Sequence, residues 1–235
     1  MSFHVAVIPD GNRRWARMHG LPVLAGHKEG GRALERLIKD IIGLEELGID
    51  CFTFWGASVA NLTKRPLEET DFLNKLFANG FHALANNQAI HQHQIRVRVL
   101  GLWPLFLGKE SQKSIEEAME ATAAYSRGML NLLIAYDGTE EMLRAIQAIA
   151  EEAKRDASLI VTRQTIKDWL LTKELPSVDL VIRTGGEPHL SAGFMMWDVA
   201  DAQLIFFKKL WPDFTPDDLR QAVMDFKGRK RRFGA

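Results

Sequence analysis

The sequence predicts an α/β protein, with a mostly parallel six-stranded sheet flanked by helices. Six short runs rich in Val, Ile, Leu and Phe show little polar alternation, as strands buried on both faces do. Longer amphipathic stretches lie between these runs, and this alternation favours a parallel sheet covered on both sides. The sequence has no internal repeat and no long Pro/Ser linker, so we expect residues 1–235 to form a single domain.

The predicted strands are defined by their apolar runs. The first, Phe3–Ile8, begins almost at the N-terminus, which lacks the basic region of a signal peptide. No apolar run reaches the ~18–20 residues that a membrane-spanning helix needs. We therefore expect a cytoplasmic protein. The other five predicted strands are Asp50–Trp55, Ile95–Leu100, Leu130–Ala135, Val178–Ile182 and Gln203–Phe207.

The stretches between the strands have the periodicity of helices. Leu24–Leu47 carries Leu34, Leu37 and Ile41 on one apolar stripe, and Gly48 is a suitable stop. The other predicted helices are Leu67–Asn86, Leu105–Ser126, Thr139–Lys154, Arg163–Thr172 and Thr215–Phe226.

Charge and cysteine content exclude several classes of protein. The 30 Lys and Arg residues balance 30 Asp and Glu residues, so the chain lacks the net positive charge of a general nucleic-acid binder. The single cysteine, Cys51, excludes an intramolecular disulfide and any multi-cysteine metal site, and its apolar surroundings favour an inert buried thiol. The cysteine content fits a reducing compartment.

Polar residues follow the first predicted strand directly, at Asp10–Trp15. Gly11 lets a ligand approach the backbone, and a helix that begins near Asn12 offers free N–H groups to an anion. Arg13 and Arg14 add forked donors for phosphate oxygens. Asp10 would repel a phosphate unless a divalent cation lay between them, which is how Mg²⁺ is often held. An ordinary surface turn explains this motif about as well on its own.

Two more loops at strand ends carry a similar mixture of groups. After the second strand come Ser58 and Asn61, followed by Lys64 and Arg65, although Asn61 or Thr63 could simply cap a helix. After the fifth strand come Arg183, a Gly185-Gly186 pair that permits a phosphate-cradling loop, His189 and Ser191. Neither loop has the spacing of a P-loop or of a dinucleotide-binding motif, so ATP and NAD are poorly supported. Several separate cationic clusters indicate two anionic groups, such as two diphosphates.

The motifs in these loops resemble those of the cis-prenyltransferase family, to which undecaprenyl diphosphate synthase belongs. They occur in the family's order over nearly the full chain. The matching segments are Asp10-Gly11-Asn12-Arg13-Arg14-Trp15-Ala16, Gly26-His27-Lys28-x-Gly30, Ser58 to Pro66, Arg183-Thr184-Gly185-Gly186-Glu187 with Leu190-Ser191, Trp211-Pro212-Asp213-Phe214 and Arg231-Arg232-Phe233-Gly234.

This resemblance implies a fold, a reaction and partners. Family members have a six-stranded parallel sheet and form homodimers. They condense an allylic diphosphate with isopentenyl diphosphate, form a new cis double bond and release pyrophosphate, and they require Mg²⁺.

The resemblance also implies roles for individual residues. Asp10 would hold Mg²⁺ and assist departure of the allylic pyrophosphate, and Asn61 would occupy the position linked to proton removal, with Ser58 beside it. The allylic diphosphate would be bound by Gly11, Asn12, Arg13, Arg14, Trp15 and His27. The isopentenyl diphosphate would be bound by Arg65, Arg183, His189 and Ser191.

These residue types suit the reaction. Negative charge develops on the departing pyrophosphate, which fixed donors and a metal ion stabilise. An amide such as Asn61 is too weak a base to act alone, so we expect it to orient a diphosphate oxygen or a water that takes the proton. The apolar tail needs a cleft, although aromatic stripes more often form simple core. Candidate walls are Phe54, Leu76, Phe77, Phe81 and Leu84.

Several positions depart from the family's pattern. Gln203 stands where a Glu is expected as a metal ligand from the partner chain, and a neutral amide binds Mg²⁺ more weakly, so this second ligand is doubtful. Val23 and His189 each replace an Arg, Ala60 replaces a Glu and Leu62 replaces a Trp. Lineage drift in an elongating enzyme explains these changes. The alternative is a repurposed relative that joins two dimethylallyl units head-to-middle or uses another acceptor.

Two further expectations complete the sequence analysis. Some family members are non-catalytic subunits, but the retained Asp10, His27, Asn61 and Arg183 argue against that role here. The segment 227–235 holds five basic and no acidic residues, which permits a weak contact with an anionic membrane surface.

Overall fold

The computed structural model describes residues 2–43 and 47–229, with the side chains of residues 40–43 left out. Its six strands form one sheet in the order β3-β4-β2-β1-β5-β6, and every neighbouring pair is parallel. This confirms the predicted sheet. The strands are β1 (His4–Ile8), β2 (Cys51–Ala57), β3 (Ile95–Leu100), β4 (Gly128–Ile134), β5 (Leu180–Arg183) and β6 (Gln203–Phe206).

Ten α-helices and one short 3₁₀ turn, Trp211–Asp213, lie between and after the strands in the described part of the chain. The helices are α1 (Asn12–Met18), α2 (Val23–Gly43), α3 (Val59–Thr63), α4 (Leu67–Ala85), α5 (Gln88–Gln92), α6 (Trp103–Phe106), α7 (Lys109–Ala121), α8 (Gly138–Arg155), α9 (Arg163–Trp169) and α10 (Pro216–Gly228). None of the described helices is long and apolar enough to cross a membrane.

The predicted helices differ from the observed ones mainly in the middle of the chain. The predicted Leu105–Ser126 is two helices, α6 and α7, because Leu107 is buried in an extended conformation and Gly108 donates its N–H to Asn74. The short helices α3 and α5 were not predicted. The end of the predicted Leu24–Leu47 falls partly outside the described residues, as does the basic tail from residue 230 onward.

The central strand β1 is buried on both faces and divides the core in two. Val5 and Val7 point into the cluster that α2, α4 and α10 cover, whereas Ala6 and Ile8 point into a second cluster on the opposite face. The chain adds β2 on one side of β1 and β5 on the other, so the direction of winding reverses between β1 and β5. Ligands of doubly wound sheets bind at this kind of reversal, outside the carboxyl ends of the strands.

Helices α1 and α2 pack very closely, because α2 presents glycine at their contact. A Cβ atom on Gly26 would overlap the carbonyl oxygen of Asn12, and a Cβ on Gly30 would lie 2.5 Å from its side-chain oxygen. The indole of Trp211 donates to the Gly30 carbonyl at 2.8 Å and is fully buried. These contacts fix α1, and with it the loop after β1, against the sheet edge.

A second close contact joins α8 to the loop after β5. Gly138, the first residue of α8, donates its N–H to the Ala192 carbonyl at 2.9 Å, and a Cβ there would overlap the carbonyl oxygen of Gly193. Ala192 and Gly193 both have positive φ, at 47° and 58°. The loop is thus held in a conformation that the N-terminus of α8 supports.

The contact between α1 and α2 yields a stability prediction. Gly26→Ala should lower the free energy of unfolding by about 2 kcal/mol or more, since the added methyl forces the helices apart. Gly80→Ala is the matched control, because Gly80 is a helical glycine with no atom within 4 Å of the added Cβ. It should stabilise the chain by about 1 kcal/mol through helix propensity. Urea unfolding of both variants measures the difference, and equal effects would contradict this account of the packing.

Candidate active site

Polar residues from three strand ends meet at the carboxyl edge of the sheet. Ile8, the last residue of β1, pairs with Arg183, the last residue of β5, which places Asp10 beside Arg183. Ser58 follows β2, which lies on the other side of β1. The parallel arrangement therefore brings together three of the loops that the sequence singles out.

An ion-pair cluster centred on Asp10 joins β1 to β5. Arg183 Nη2 donates to Asp10 Oδ2 at 2.9 Å, and Arg14 Nη2 lies 3.0 Å from Asp10 Oδ1. Arg183 is 5% exposed, and its Nη1 donates to the His189 carbonyl and to Ser191 Oγ, both at 2.7 Å. The buried guanidinium is thus paired, as its burial requires. Arg183 ties the Asp10 loop to the loop that carries Ser191.

Gly185 makes this cluster possible in a way that the sequence did not indicate. Its φ is 91°, and a Cβ would lie 2.5 Å from Arg14 Nη2 and 3.0 Å from Asp10 Cβ. The N–H groups of Gly185 and Gly186 donate to the carbonyls of Lys209 and Phe207, both at 2.8 Å. The prediction that these two glycines cradle phosphate is wrong for their amides, which are already committed to the backbone.

Ser58 and Asn61 form a capping box at the start of α3. Ser58 Oγ accepts from the Asn61 N–H at 3.1 Å, and Asn61 Oδ1 accepts from the Ser58 N–H at 3.2 Å. Ser58, rather than Asn61 or Thr63, is therefore the capping residue. Because Asn61 Oδ1 already accepts this hydrogen bond, the NH₂ group of Asn61 is the one left to contact a ligand. Ser58 and Asn61 both line the cavity described below.

A second charged cluster lies on the neighbouring wall. His27 on α2 and Arg65, just before α4, both contact the buried carboxylate of Glu69, at 2.8 Å and 3.1 Å, and Arg13 lies 3.9 Å from it. Burial lowers the pKa of His27, against the opposing effect of its hydrogen bond to Glu69. The sequence analysis missed Glu69. Its only local signal in the sequence is the spacing of four residues between Arg65 and Glu69 at the start of a helix, which permits an ion pair.

A cavity of about 750 Å³ connects these polar groups to an apolar interior. Its polar end is lined by Asp10, Asn12, His27, Ser58, Asn61, Arg65, Arg183 and Ser191. Its interior is lined largely by apolar side chains of α2, α4 and the sheet, and the five candidate wall residues Phe54, Leu76, Phe77, Phe81 and Leu84 are all among them. The interpretation of these five as simple core was therefore too narrow. Trp211 also lines it.

The cavity also reaches the surface at its far end, between α2 and α4. The lining there includes Glu35, Lys39, Asn79 and Ala83, whose side chains are exposed. The cavity is thus polar at both ends and apolar between them, the form that suits a long hydrocarbon with a charged head.

Two buried polar atoms near the polar end have no hydrogen-bond partner among the described residues: Asn12 Oδ1 and Arg183 Nε. Both side chains line the cavity. A buried polar atom without a partner is costly, so such atoms mark places where a polar ligand can bind.

The remaining predicted site residues lie around the cavity rather than on it. Arg14 pairs with Asp10, and His189 Nε2 lies 3.3 Å from Ser191 Oγ. Trp15 donates its indole N–H to Asp213 at 2.7 Å. Gly11, with a φ of 119°, is the N-cap residue of α1 and packs against Leu210.

The donor set fits a metal ion only together with a ligand. No group of three or more His, Cys, Asp or Glu side chains in the described residues could hold a metal. Asp10 offers one carboxylate at the polar end, which suits Mg²⁺ bound by a protein carboxylate and substrate phosphates. Gln203 is the first residue of β6 and pairs with Leu180, which in turn pairs with Val5. It therefore lies at the amino ends of the strands, whereas Asp10 of the same chain lies at their carboxyl ends.

Comparison with known proteins decides the family. The prenyltransferase family described as "Putative undecaprenyl diphosphate synthase" matches residues 8–234. The chain belongs to this family. It is therefore a prenyltransferase, as the resemblance implied, and the alternative of a non-catalytic subunit finds no support among the relatives named below.

Named relatives cover nearly the whole chain. An isoprenyl transferase of Thermotoga maritima is 37% identical over 231 residues, which span 98% of this chain and 96% of the relative. A tritrans,polycis-undecaprenyl-diphosphate synthase of Pyrococcus horikoshii, described as geranylgeranyl-diphosphate specific, is 36% identical and spans 98% of this chain and 86% of its own. The crystal structure of lavandulyl diphosphate synthase from Lavandula x intermedia with dimethylallyl diphosphate has a TM-score of 0.88 and 30% identity, and covers 99% of this chain and 98% of that one.

The paired glycines after β5 test the geometry of the prenyltransferase site. Gly185→Ala should weaken the binding of inorganic pyrophosphate by about tenfold or more, since it displaces Asp10 and Arg14. Gly186→Ala is the control, because its φ of 76° imposes similar strain but its nearest neighbour is Lys208 Cα at 3.8 Å. Backbone strain should cost both variants about 1–2 kcal/mol of stability, and Gly185→Ala should lose more because its Cβ also collides with Arg14 and Asp10. Titration calorimetry and thermal unfolding separate the two effects, and equal loss of binding would contradict the assigned role of Gly185.

Proposed function

We propose that this prenyltransferase condenses an allylic diphosphate with isopentenyl diphosphate in a Mg²⁺-dependent reaction and extends the chain with cis double bonds, releasing pyrophosphate. The observation that carries the proposal is a continuous cavity that joins a cationic polar end to an apolar interior. The cationic end suits the diphosphate heads of the substrates, and the apolar interior suits their isoprenoid tails. The undecaprenyl-diphosphate synthases among the relatives support the same reaction class.

The Asp10 cluster would bind and release the allylic pyrophosphate. Mg²⁺, when bound, neutralises the charge that develops on the departing group. Asp10 would hold the metal, while Arg14 and Arg183 keep the carboxylate in place through the ion pairs they already make. Arg183 Nε, a buried donor without a partner, is then free to contact a phosphate oxygen, whereas Asn12 Oδ1 only accepts and suits a metal ion or a donor instead. Arg183 Nε thus adds to the donors already at this end of the cavity. These donors are fixed before the reaction, so they stabilise the transition state with little reorganisation.

Proton removal would rely on positioning rather than on a strong base. The capping box commits Asn61 Oδ1 to the Ser58 N–H, so the carbonyl of Asn61 is poorly placed to accept the proton. Its amide NH₂ can instead orient a diphosphate oxygen of isopentenyl diphosphate, and that oxygen takes the proton. Arg65 lines the same wall and would bind this second diphosphate.

A homodimer is part of the proposal. Strand β6 lies at the edge of the sheet, and its Leu204 and Phe206 are 40% and 37% exposed. Apolar exposure on an edge strand favours an interface with a second copy. Gln203 on the same strand is remote from Asp10 of its own chain, so it could approach a metal site only in the partner. Location in the cytoplasm and weak contact of the basic tail with anionic membranes remain parts of the proposal.

The experiment that tests the function supplies the purified chain with Mg²⁺, labelled isopentenyl diphosphate and, in separate reactions, dimethylallyl, geranyl, farnesyl or geranylgeranyl diphosphate. Mass spectrometry of the products should show a series that differs by five-carbon units. The absence of any elongated product with all four primers would reject the proposal.

A second candidate is head-to-middle joining of two dimethylallyl diphosphates. The likeness to lavandulyl diphosphate synthase favours it, as do the departures at Val23, Ala60, Leu62 and Gln203. The size of the cavity favours elongation. If each carbon of a tail occupies about as much space as a water molecule, about 30 Å³, a five-carbon tail fills only a small part of the cavity. Incubation with dimethylallyl diphosphate alone separates the two, since only the second candidate forms a ten-carbon branched product without isopentenyl diphosphate.

Asp10 provides the sharpest loss-of-function prediction. Asp10→Asn should reduce transfer about 100-fold or more, because it removes the carboxylate that holds both the metal and the two guanidinium groups. Asp156→Asn, at an exposed turn stabilised by Ser158, should leave transfer unchanged. Rates at saturating Mg²⁺ provide the comparison, and near-normal transfer by Asp10→Asn would remove Asp10 from the mechanism.

The far mouth of the cavity yields a prediction on product length. Ala83→Trp places an indole at this mouth and should shift the products to shorter chains. His82→Trp is the control, since His82 is exposed on the same helix and is not among the cavity-lining residues. Product mass distributions under identical conditions measure the effect, and an identical distribution for both variants would show that chains do not reach this mouth.

A further inference from the structure

Glu69 is a buried carboxylate to which no function has yet been assigned. It lies in the first turn of α4 and is 5% exposed. It is not among the residues that line the cavity, whereas two of its partners, His27 and Arg65, are. The carboxylate therefore stands behind the cavity wall and can act on a ligand only through those partners.

One oxygen of Glu69 contacts two arginines and a histidine from three parts of the chain. Glu69 Oε1 lies 2.8 Å from His27 Nε2, 3.1 Å from Arg65 Nη1 and 3.9 Å from Arg13 Nε. These residues belong to α2, to the turn before α4 and to α1. Burying a carboxylate is costly unless opposite charges and donors surround it, so the cluster holds together as a unit.

The 2.8 Å contact fixes the tautomer of His27. An ionised carboxylate only accepts hydrogen bonds, so the proton of the neutral ring lies on Nε2 and is donated to Glu69. The contact of Nε2 with Arg65 Nη1, at 3.4 Å, is much longer. Nδ1 is then the nitrogen left for a ligand. As a neutral acceptor it repels a phosphate oxygen, and it becomes a donor only by taking up a proton.

The charges around His27 favour protonation of its Nδ1 only when an anion is bound nearby. Burial lowers the pKa of His27 in the free chain, and Arg65 and Arg13 lower it further, while Glu69 opposes them. A diphosphate in the cavity would add negative charge beside the ring and offset the two arginines. The ring would then carry its charge between two anions, the diphosphate and Glu69.

We propose that Glu69 is a positioning residue for diphosphate binding, which holds Arg65 and His27 at the cavity wall and stabilises the protonated imidazole that a bound diphosphate needs. This inference rests on the proposed function only in its choice of ligand. It assigns to the carboxylate a favourable effect on anion binding, although the charge of Glu69 by itself repels anions.

The test measures binding of inorganic pyrophosphate to the full chain by titration calorimetry. Glu69→Gln keeps the size of the side chain and removes its charge, and it should raise the dissociation constant about tenfold or more, because Arg65 and His27 lose their common partner. Glu68→Gln is the matched control, since Glu68 occupies the same helical turn but is exposed. It should change binding by less than about twofold.

Simple electrostatics predicts the opposite sign. Removing a negative charge beside two arginines should tighten pyrophosphate binding if Glu69 has no positioning role. Unchanged or tighter binding by Glu69→Gln would therefore overturn the proposal. If this variant does not fold, as thermal unfolding would reveal, Glu69→Asp retains the charge but shortens the reach, and it should still weaken binding relative to Glu68→Asp. Equal binding by these two variants would overturn the proposal as well.

Proton uptake gives a readout that a purely structural role would not change. Calorimetry in two buffers of different ionisation enthalpy counts the protons taken up on binding. The native chain should take up more protons than Glu69→Gln, and the protonation of pyrophosphate itself cancels in this comparison. The affinity of the native chain should accordingly fall more steeply as pH rises above neutrality. Equal proton uptake by both chains would overturn the role assigned to His27.

The outcome is separable from that of the proposed function. Pyrophosphate binding requires no transfer, so the Glu69 effect can be found even if the chain makes no polyprenyl product. Where transfer is observed, Glu69→Gln should raise KM for the diphosphate substrate far more than it lowers kcat. Normal KM and normal pyrophosphate affinity together with active elongation would reject the inference and leave the proposed function intact.

Discussion

The Asp10–Arg183 ion pair is the interaction on which the arrangement of the site depends. It joins the loop after β1 to the last residue of β5, at the point where the direction of winding reverses. The same guanidinium also donates to the His189 carbonyl and to Ser191. One buried Arg therefore joins the loop after β1 to the loop after β5, although Asp10 and Arg183 are 173 residues apart in sequence. A guanidinium buried to this degree is stable only with its partners in place. The site is accordingly formed before any ligand binds.

Burial on both faces explains why the sheet could be predicted from the sequence. Parallel strands covered by helices are continuous apolar runs, and β1, buried along its whole length, was predicted to within one residue. The gathering of Asp10, Ser58 and Arg183 was also predictable, because the carboxyl ends of parallel strands share one edge. Neither inference needs knowledge of side-chain contacts.

The parts that sequence could not reveal depend on contacts between distant elements. Glu69 looks like any acid in the first turn of a helix, and its burial follows from the approach of α2 with His27. Phe77 and Phe81 lie on a stripe that is identical in sequence whether it packs against core or lines a cavity. The break between α6 and α7 depends on Asn74, which lies on α4 and accepts from Gly108. For Glu69 and for this break, the deciding partner lies more than 30 residues away, at 42 residues between His27 and Glu69 and 34 between Asn74 and Gly108.

The close contact between Gly138 and Gly193 joins the backbone of α8 directly to the loop that carries Ser191. With no side chain on either residue, there is nothing to compress between the start of α8 and the loop that carries Ser191. Through Ser191, which accepts from Arg183, this contact connects α8 to the Asp10 ion pair. Leu143 and Ile146 are exposed on the same helix.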